Sequence, residues 1–149
     1  MNDRYLCKAK RTDNGEWVQG NLVWSNDAED GYRAIIIPTN NSNMFTKGGT
    51  KGDLGFENWY KVNKDTICQC TGLKDKNGEL IWENDILSGR LDEDYPEDET
   101  RKHILWHENG WHTKELGSID YEPLDDFDSE NFEVIGNIFD NPELLESED

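Results

Sequence analysis

Apolar and polar positions alternate in short runs along this chain, and three Asn-Gly pairs punctuate the runs, at 14–15, 77–78 and 109–110. Asn-Gly supplies the positive φ angles that tight hairpin turns need, so each pair predicts a reversal between strands. The first lies between "RYLCKAKR", where Tyr5, Cys7 and Ala9 share one period-2 face, and "EWVQGNLVW", with Trp17, Leu22 and Trp24. This predicts an opening hairpin. The third lies between "KHILWHE" and "WHTKEL" and predicts a late hairpin. Between them, "GYRAIIIPT" is a β-branched run closed by Pro38, which cannot continue a central strand.

Residues 40–55, "NNSNMFTKGGTKGDLG", are rich in Asn, Gly and Lys and predict a mobile excursion. The extended pattern resumes in "WYKVNKDTICQCTGL", with Val62, Ile67 and Leu73 as core contacts. "FEVIGNIFD" predicts a final strand through Phe132, Val134, Ile138 and Phe139, broken by Gly136. In "NPELLE", Asn141 stands as an N-cap, Pro142 at the first helical position and Glu143 in the first turn, which predicts a short terminal helical turn.

At 149 residues the expectation is one domain, and 34% hydrophobic with 32% charged residues and six Trp is too aromatic for a disordered chain. The charge is unevenly placed. Residues 1–89 hold 11 Lys+Arg against 13 Asp+Glu, net −2, whereas residues 90–149 hold 4 against 20, net −16. Such a field repels phosphates, so direct nucleic acid binding is disfavoured unless the N-terminal part carries a basic face. Lys8, Lys10, Arg11, Lys47 and Lys51 are the candidates for one. The densest acidic run, Asp92, Glu93, Asp94, Glu97, Asp98 and Glu99, predicts a solvated surface loop and a candidate interaction surface. One alternative follows from it, that the acidic part imitates nucleic acid and sequesters a DNA-binding protein. No run approaches the roughly 18 apolar residues of a membrane span, and "MNDRYLCKAK" has no apolar core of a signal peptide. A cytoplasmic protein with three reduced cysteines is expected, with no membrane partner.

The stretch "TICQCTGLKDKNGELIWENDIL" and the later "FEVIGNIFDNPELL" resemble the two signatures of the YopX family of phage and prophage proteins, and "KAKRTDNGEWVQGNLV" also resembles its members. The resemblance covers about Leu6 to Leu145. It implies a mainly-β fold with small, barrel-like (SH3-like) packing, homo-oligomerisation and a bacterial host cell. The family is largely one of unknown function. Cys70 stands where Tyr is common in the family and Asn84 where Gly is common.

Physics accounts for the signature without catalysis. Thr71 and Gly72 break the incoming strand, and Asp75-Lys76-Asn77-Gly78 makes a tight turn. Leu73, Leu80, Ile81, Ile86 and Leu87 anchor it, and Asp85 satisfies backbone N–H groups at a strand entrance. With Gly136, Asn137, Asn141 and Pro142 these form the structural candidate site. Cys68, Cys70, His103, His107 and His112 match closed zinc spacing poorly and read as buried thiols with scattered histidines. Asp126, Asp128 and Glu130 repeat like calcium ligands, but Asn131 and Asn137 stand where an EF-hand needs Gly and Glu. No nucleophile elbow, His-Glu-x-x-His or phosphate-binding glycine loop occurs. The six Trp (17, 24, 59, 82, 106 and 111) read as core and oligomer packing. Function is therefore read as a non-enzymatic, self-associating protein-interaction module with no catalytic residue, metal or cofactor. A nucleic-acid-binding or enzymatic domain built on the N-terminal basic residues is the further alternative.

Overall fold

The computed structural model describes residues 3–24, 34–39, 44–47, 53–91 and 99–146. Every strand pairing among them is antiparallel. The chain divides into an N-terminal unit, Tyr5–Gln69, and a C-terminal unit, Cys70–Asp149 with Met1–Arg4. Charge follows this division: the N-terminal unit holds eight Lys+Arg against eight Asp+Glu, net zero, and the remainder holds 7 against 25, net −18.

The N-terminal unit contains β1 (Cys7–Lys10), β2 (Trp17–Trp24), β3 (Ala34–Pro38), β4 (Met44–Lys47), β5 (Asp53–Phe56), β6 (Tyr60–Lys61) and the start of β7 (Cys68–Lys74). The order is β6-β3-β2-β1-β7, with β4 and β5 as a separate ribbon. The opening hairpin forms as the alternation predicts, with Lys10 opposite Trp17 and Cys7 opposite Gly20. Its connection is six residues wide, closed by Arg11 N–H to Glu16 O at 2.8 Å and by Gly15 at φ +73°. Ala9, Ala34, Ile36 and Val62 form the core of this unit, with Val18, Leu22 and Ile67 packed on them. Gly20 is dictated by a close approach, since a Cβ there would lie 2.0 Å from Ile37 O. The stretch read as a loop, 40–55, thus contains a paired ribbon, Met44 opposite Phe56 and Lys47 opposite Asp53. Asn, Gly and Lys composition hid it, and residues 40–43 and 48–52 of the predicted excursion lie outside the described residues.

In the C-terminal unit, β7 continues and pairs with β8 (Leu80–Trp82). Then follow β9 (Asp85–Gly89), β10 (Thr100–His107), β11 (Gly110–Glu115), β12 (Tyr121–Pro123), the helix α1 (Asp126–Asn131) and β13 (Phe132–Asn137). A five-stranded sheet runs β12-β11-β10-β9-β13, and a single 3₁₀ turn, Pro142–Leu145, ends the described chain. Ile81, Leu87, Ile104 and Phe132 are the core, with Leu73, Trp111, Leu124 and Val134 against it. The described residues thus form mainly antiparallel β sheets, and in the N-terminal unit an antiparallel bridge between Arg11 and Val62, with Thr12 N–H to Lys61 O at 3.0 Å and Asn63 N–H to Lys10 O at 2.8 Å, also joins the continuation of β1 to that of β6.

Three local expectations change. Thr71 and Gly72 do not break β7; they form an irregularity in it, with Cys70 opposite Trp82 but Lys74 opposite Leu80, so the strand carries extra residues through the bend. The final strand ends at Asn137, and Gly136 lies inside it where the register with β9 shifts. The late hairpin turns on Glu108 and Asn109, and Gly110 is already paired with His107. Glu108 therefore takes the left-handed conformation, φ +57°. Of the six Trp, only Trp82 is buried, while Trp24, Trp59 and Trp106 are 54%, 44% and 51% exposed, so core packing does not account for the set.

Candidate functional site

Both signature stretches lie in the C-terminal unit from Cys70 onward, and they meet there. Asp75 is 6% exposed, and its carboxylate accepts three backbone N–H groups: Asn77 and Glu79 on Oδ1 and Val134 on Oδ2, each at 2.9 Å. The first two close the turn that Gly78 completes at φ +84°; the third ties that turn to β13. Lys76 N–H donates to Phe132 O at 3.0 Å, and Asn77 Nδ2 to Glu133 Oε2 at 3.0 Å. The turn thus occupies the edge of β13 that β9 leaves open, which is how a sheet edge is kept from pairing elsewhere. Ser129 Oγ adds a hydrogen bond to Lys74 O.

Around this joint each signature side chain has a local task. Thr71 Oγ donates to Ile81 O at 2.7 Å and accepts Leu73 N–H at 3.1 Å, holding β7 to β8 across the bend. Gly72, at φ +84°, leaves room for Arg4, whose Cβ lies 3.1 Å from where a Cβ would stand. Asp85, 2% exposed, accepts Trp82 N–H at 2.8 Å, as its place before an apolar run suggested. Ile81 and Ile86 are fully buried. Asn84 adopts φ +71°, the glycine-like turn. Its backbone is bonded on both sides, N–H to Ile104 O at 2.8 Å and O from Ile138 N–H at 3.1 Å. Asn137 Oδ1 accepts the N–H groups of Phe139 and Asp140, both at 2.9 Å. Asn141 stands at the cap position of the last turn, yet its Oδ1 accepts Asn137 N–H at 3.3 Å instead of capping. Gly136 is what permits this, because a Cβ there would sit 2.4 Å from that oxygen. Pro142 starts the turn as predicted.

The acidic candidates separate. Asp128 is one of the most buried polar groups, and Lys102 Nζ lies 2.7 Å from its Oδ1, with the two side chains 6% and 3% exposed. Lys102 also sits 4.6 Å over the Phe132 ring. Asp125 and Asp128 form a reciprocal capping box at the start of α1. Asp128 is thus committed to protein groups, whereas Asp126 and Glu130 are exposed. Among the described residues no three His, Cys, Asp or Glu side chains converge as metal ligands. The sequence reading missed this ion pair and α1; the Asp-x-x-Asp spacing of 125 and 128, and a lysine at the core-facing phase of Ile104, were the signals. Of the acidic run, Asp92, Glu93, Asp94, Glu97 and Asp98 lie outside the described residues. Glu99 is bound by Arg101 Nε at 2.9 Å and Ser88 Oγ at 2.7 Å, which hold its carboxyl below its ordinary range.

Cys68 and Cys70 are fully buried thiols, neither in a disulfide, and Cys7 is half-buried. The three histidines share the face of β10 and β11 away from the core. His107 stacks on Tyr121 with centroids 4.0 Å apart, and His112 meets His107 edge-on at 5.3 Å. His103 is half-buried beside Asn84 Oδ1 at 3.2 Å, and burial first, then nearby Lys114, pushes its pKa down. An open depression of about 390 Å³ is lined by Lys76, Arg90, Arg101, Glu99 and Glu133, charges of both signs with no isolated acid–base pair. Of the basic candidates, Arg11 is engaged by Asp13 at 2.6 Å and lies over Tyr60. Lys8 and Lys10 flank Trp17. Lys51 lies outside the described residues and Lys47 is described only as part of β4. No helix among the described residues is long and apolar enough to cross a membrane.

Comparison with known proteins agrees with this arrangement. No curated protein matches the chain. The crystal structure of the protein EF1440 from Enterococcus faecalis is similar at a TM-score of 0.56 and 27% identity, over 94% of this chain and 96% of that one. The family model described as YopX protein matches residues 8–146, nearly the whole length and both halves of the joint. The chain belongs to the YopX family.

Proposed function

We propose that this protein is a non-enzymatic protein-interaction module of phage or prophage origin that self-associates. One observation carries the reading: the family's signature side chains are spent on backbone groups. Asp75, Asp85, Thr71, Asn137 and Asn141 all accept or donate within the fold, so what is characteristic of the family is a way of building a unit. The surface then does the work. Exposed apolar side chains of the C-terminal unit, including Ile119 at 86% and Tyr121 at 41% beside the short end strand β12, are what a partner would cover. The test is the mass in solution by light scattering, for the native chain and for Ile119→Asp. A defined oligomer reduced by the substitution is the expected result; a monomer that turns over a small molecule would overturn the reading.

A second reading rests on the charge division. With net −18 confined to the C-terminal unit and Met1–Arg4, that part supports a nucleic-acid mimic that occupies a DNA-binding protein. Neutralising Asp92, Glu93, Asp94, Glu97, Asp98 and Glu99 would then abolish capture of such a partner, and unchanged capture would dismiss the mimic.

A further inference from the structure

We infer that Asn109 is a site of spontaneous covalent modification, where the side-chain amide condenses with the backbone nitrogen of Gly110 and the resulting cyclic imide opens in water to aspartate or isoaspartate. Asn-Gly is the pair in which this reaction meets least hindrance, because glycine places no Cβ beside the attacking nitrogen. The chain has three such pairs, at 14–15, 77–78 and 109–110, and all three asparagines are exposed. Exposure therefore does not choose among them; the bonds that hold each one do. In the reaction the Gly110 nitrogen gives its proton to solvent base and attacks Asn109 Cγ. A C–N bond forms, and the amide nitrogen leaves as ammonia with a proton returned by solvent. Water then adds to either carbonyl of the ring, and the position carries a carboxylate in place of an amide.

Attack requires the asparagine and glycine backbone to leave its turn geometry, and what must open with it differs at the three pairs. At 77–78 the turn is tied on every side: Asn77 N–H to Asp75 Oδ1 at 2.9 Å, Asn77 Nδ2 to Glu133 Oε2 at 3.0 Å and Gly78 N–H to Asp75 O at 3.0 Å. At 14–15 the reacting amide is itself engaged. Asn14 Oδ1 accepts Glu16 N–H at 2.9 Å, Nδ2 reaches Glu16 Oε2 at 3.3 Å, and Gly15 N–H donates to Arg11 O at 3.0 Å. The Asn109 side chain has no hydrogen-bond partner among the described residues. It stands in a two-residue turn closed by His107 opposite Gly110, next to Glu108, whose left-handed φ of +57° its side chain disfavours. Opening that last rung of the hairpin frees both reacting atoms. Isoaspartate then routes the backbone through the side-chain carbon and lengthens it, so that His107 and Gly110 lose register beside the Trp106–Trp111 contact at 5.1 Å and the His107–Tyr121 stack at 4.0 Å.

The test is peptide mapping by mass spectrometry of the full chain held in warm, mildly alkaline buffer, following aspartate and isoaspartate at each Asn-Gly pair over time. Asn109 should convert at least about tenfold faster than Asn77, where several bonds must open together. It should convert about threefold or more faster than Asn14, whose bonds are exposed and individually weak. Gly110→Ala should fold, because its φ is not left-handed and the closest contact of a Cβ there would be His112 Cε1 at 3.8 Å. That variant should slow conversion at position 109 by about tenfold or more, since the new Cβ crowds the attacking nitrogen. In concentrated urea the three rates should converge to within about threefold, which ties the selectivity to the fold. Asn14 or Asn77 converting as fast as Asn109 in the folded chain would overturn the inference, as would an Asn109 that stays intact while the urea-unfolded chain converts. The same ranking unchanged in urea would overturn it in favour of local sequence alone.

Discussion

Asp128→Asn isolates the energetics of the buried ion pair. The side chains of Lys102 and Asp128 are 6% and 3% exposed with 2.7 Å between Nζ and Oδ1. At that distance and an effective dielectric near 20, their attraction is about 6 kcal/mol, most of it offset by the cost of removing both from water. Removing one charge leaves that cost uncompensated for the other, so Asp128→Asn should destabilise by about 3–5 kcal/mol. The amide preserves shape and can still accept Asp125 N–H, so the loss reports the ion pair more than the capping box. With a urea slope of about 2 kcal/mol/M, the midpoint should fall by about 2 M. Tryptophan fluorescence is a suitable probe, because Trp111 packs on the same core as Phe132. The companion variant, Lys102→Met with Asp128→Leu, replaces the pair by apolar groups and should lose less than about half as much. A midpoint for Asp128→Asn within about 0.5 M of native, equivalent to about 1 kcal/mol, would refute the reasoning. So would a double variant no better than the single one.

Three further outcomes follow from single positions. Gly136→Ala should expel the Asn141 side chain and cost about 1–2 kcal/mol, and adding Asn141→Ala should cost little more, a non-additivity that chemical denaturation of the three variants would measure. Glu108→Asn should stabilise by about 0.5 kcal/mol, since φ +57° in a two-residue hairpin turn suits Asn better than Glu, and thermal unfolding would show no gain if the turn is not strained. His103 has a folded pKa below its ordinary 6.5, so the unfolded chain binds more protons as pH falls below that value; stability should drop from about pH 6.5 downward and level off once the folded ring protonates. His103→Gln should flatten that part of the stability–pH curve, and an unchanged curve would remove His103 as its source.

Much of the strand content was legible because it is local. Period-2 runs and Asn-Gly pairs placed β1, β2, β10 and β11, and Pro142 placed the last turn. The turn at Asp75 was legible too, but its partner was not: nothing in the spacing of 75 and 134 announces that one carboxylate oxygen reaches Val134 N–H. The Lys102–Asp128 pair was hidden for the same reason, because a charge in an acidic run reads as solvated until the chain buries it. Residues 40–55 misled in the opposite sense, since a two-stranded ribbon is held by backbone bonds that composition does not display. The expectation of barrel-like packing came only from resemblance, and the bridge from Arg11 to Val62, which joins the continuations of β1 and β6, had no signal in the sequence. Hydrophobic pattern fixes neighbours, whereas side chain-to-backbone bonds across long sequence separations decide how the ends of a sheet are finished.

The central claim is that the family signature builds a joint between the β7–β8 turn and β13. Amide hydrogen exchange of Asp75→Ala against the native chain tests it most directly. Three N–H groups, those of Asn77, Glu79 and Val134, lose their acceptor and should exchange far faster, with Lys76 following as the turn leaves the edge of β13. Amides in the β10–β11 hairpin should keep their protection. Unchanged protection at all three, in a chain that has nonetheless lost its self-association or its partner, would contradict the account and make Asp75 part of a working surface.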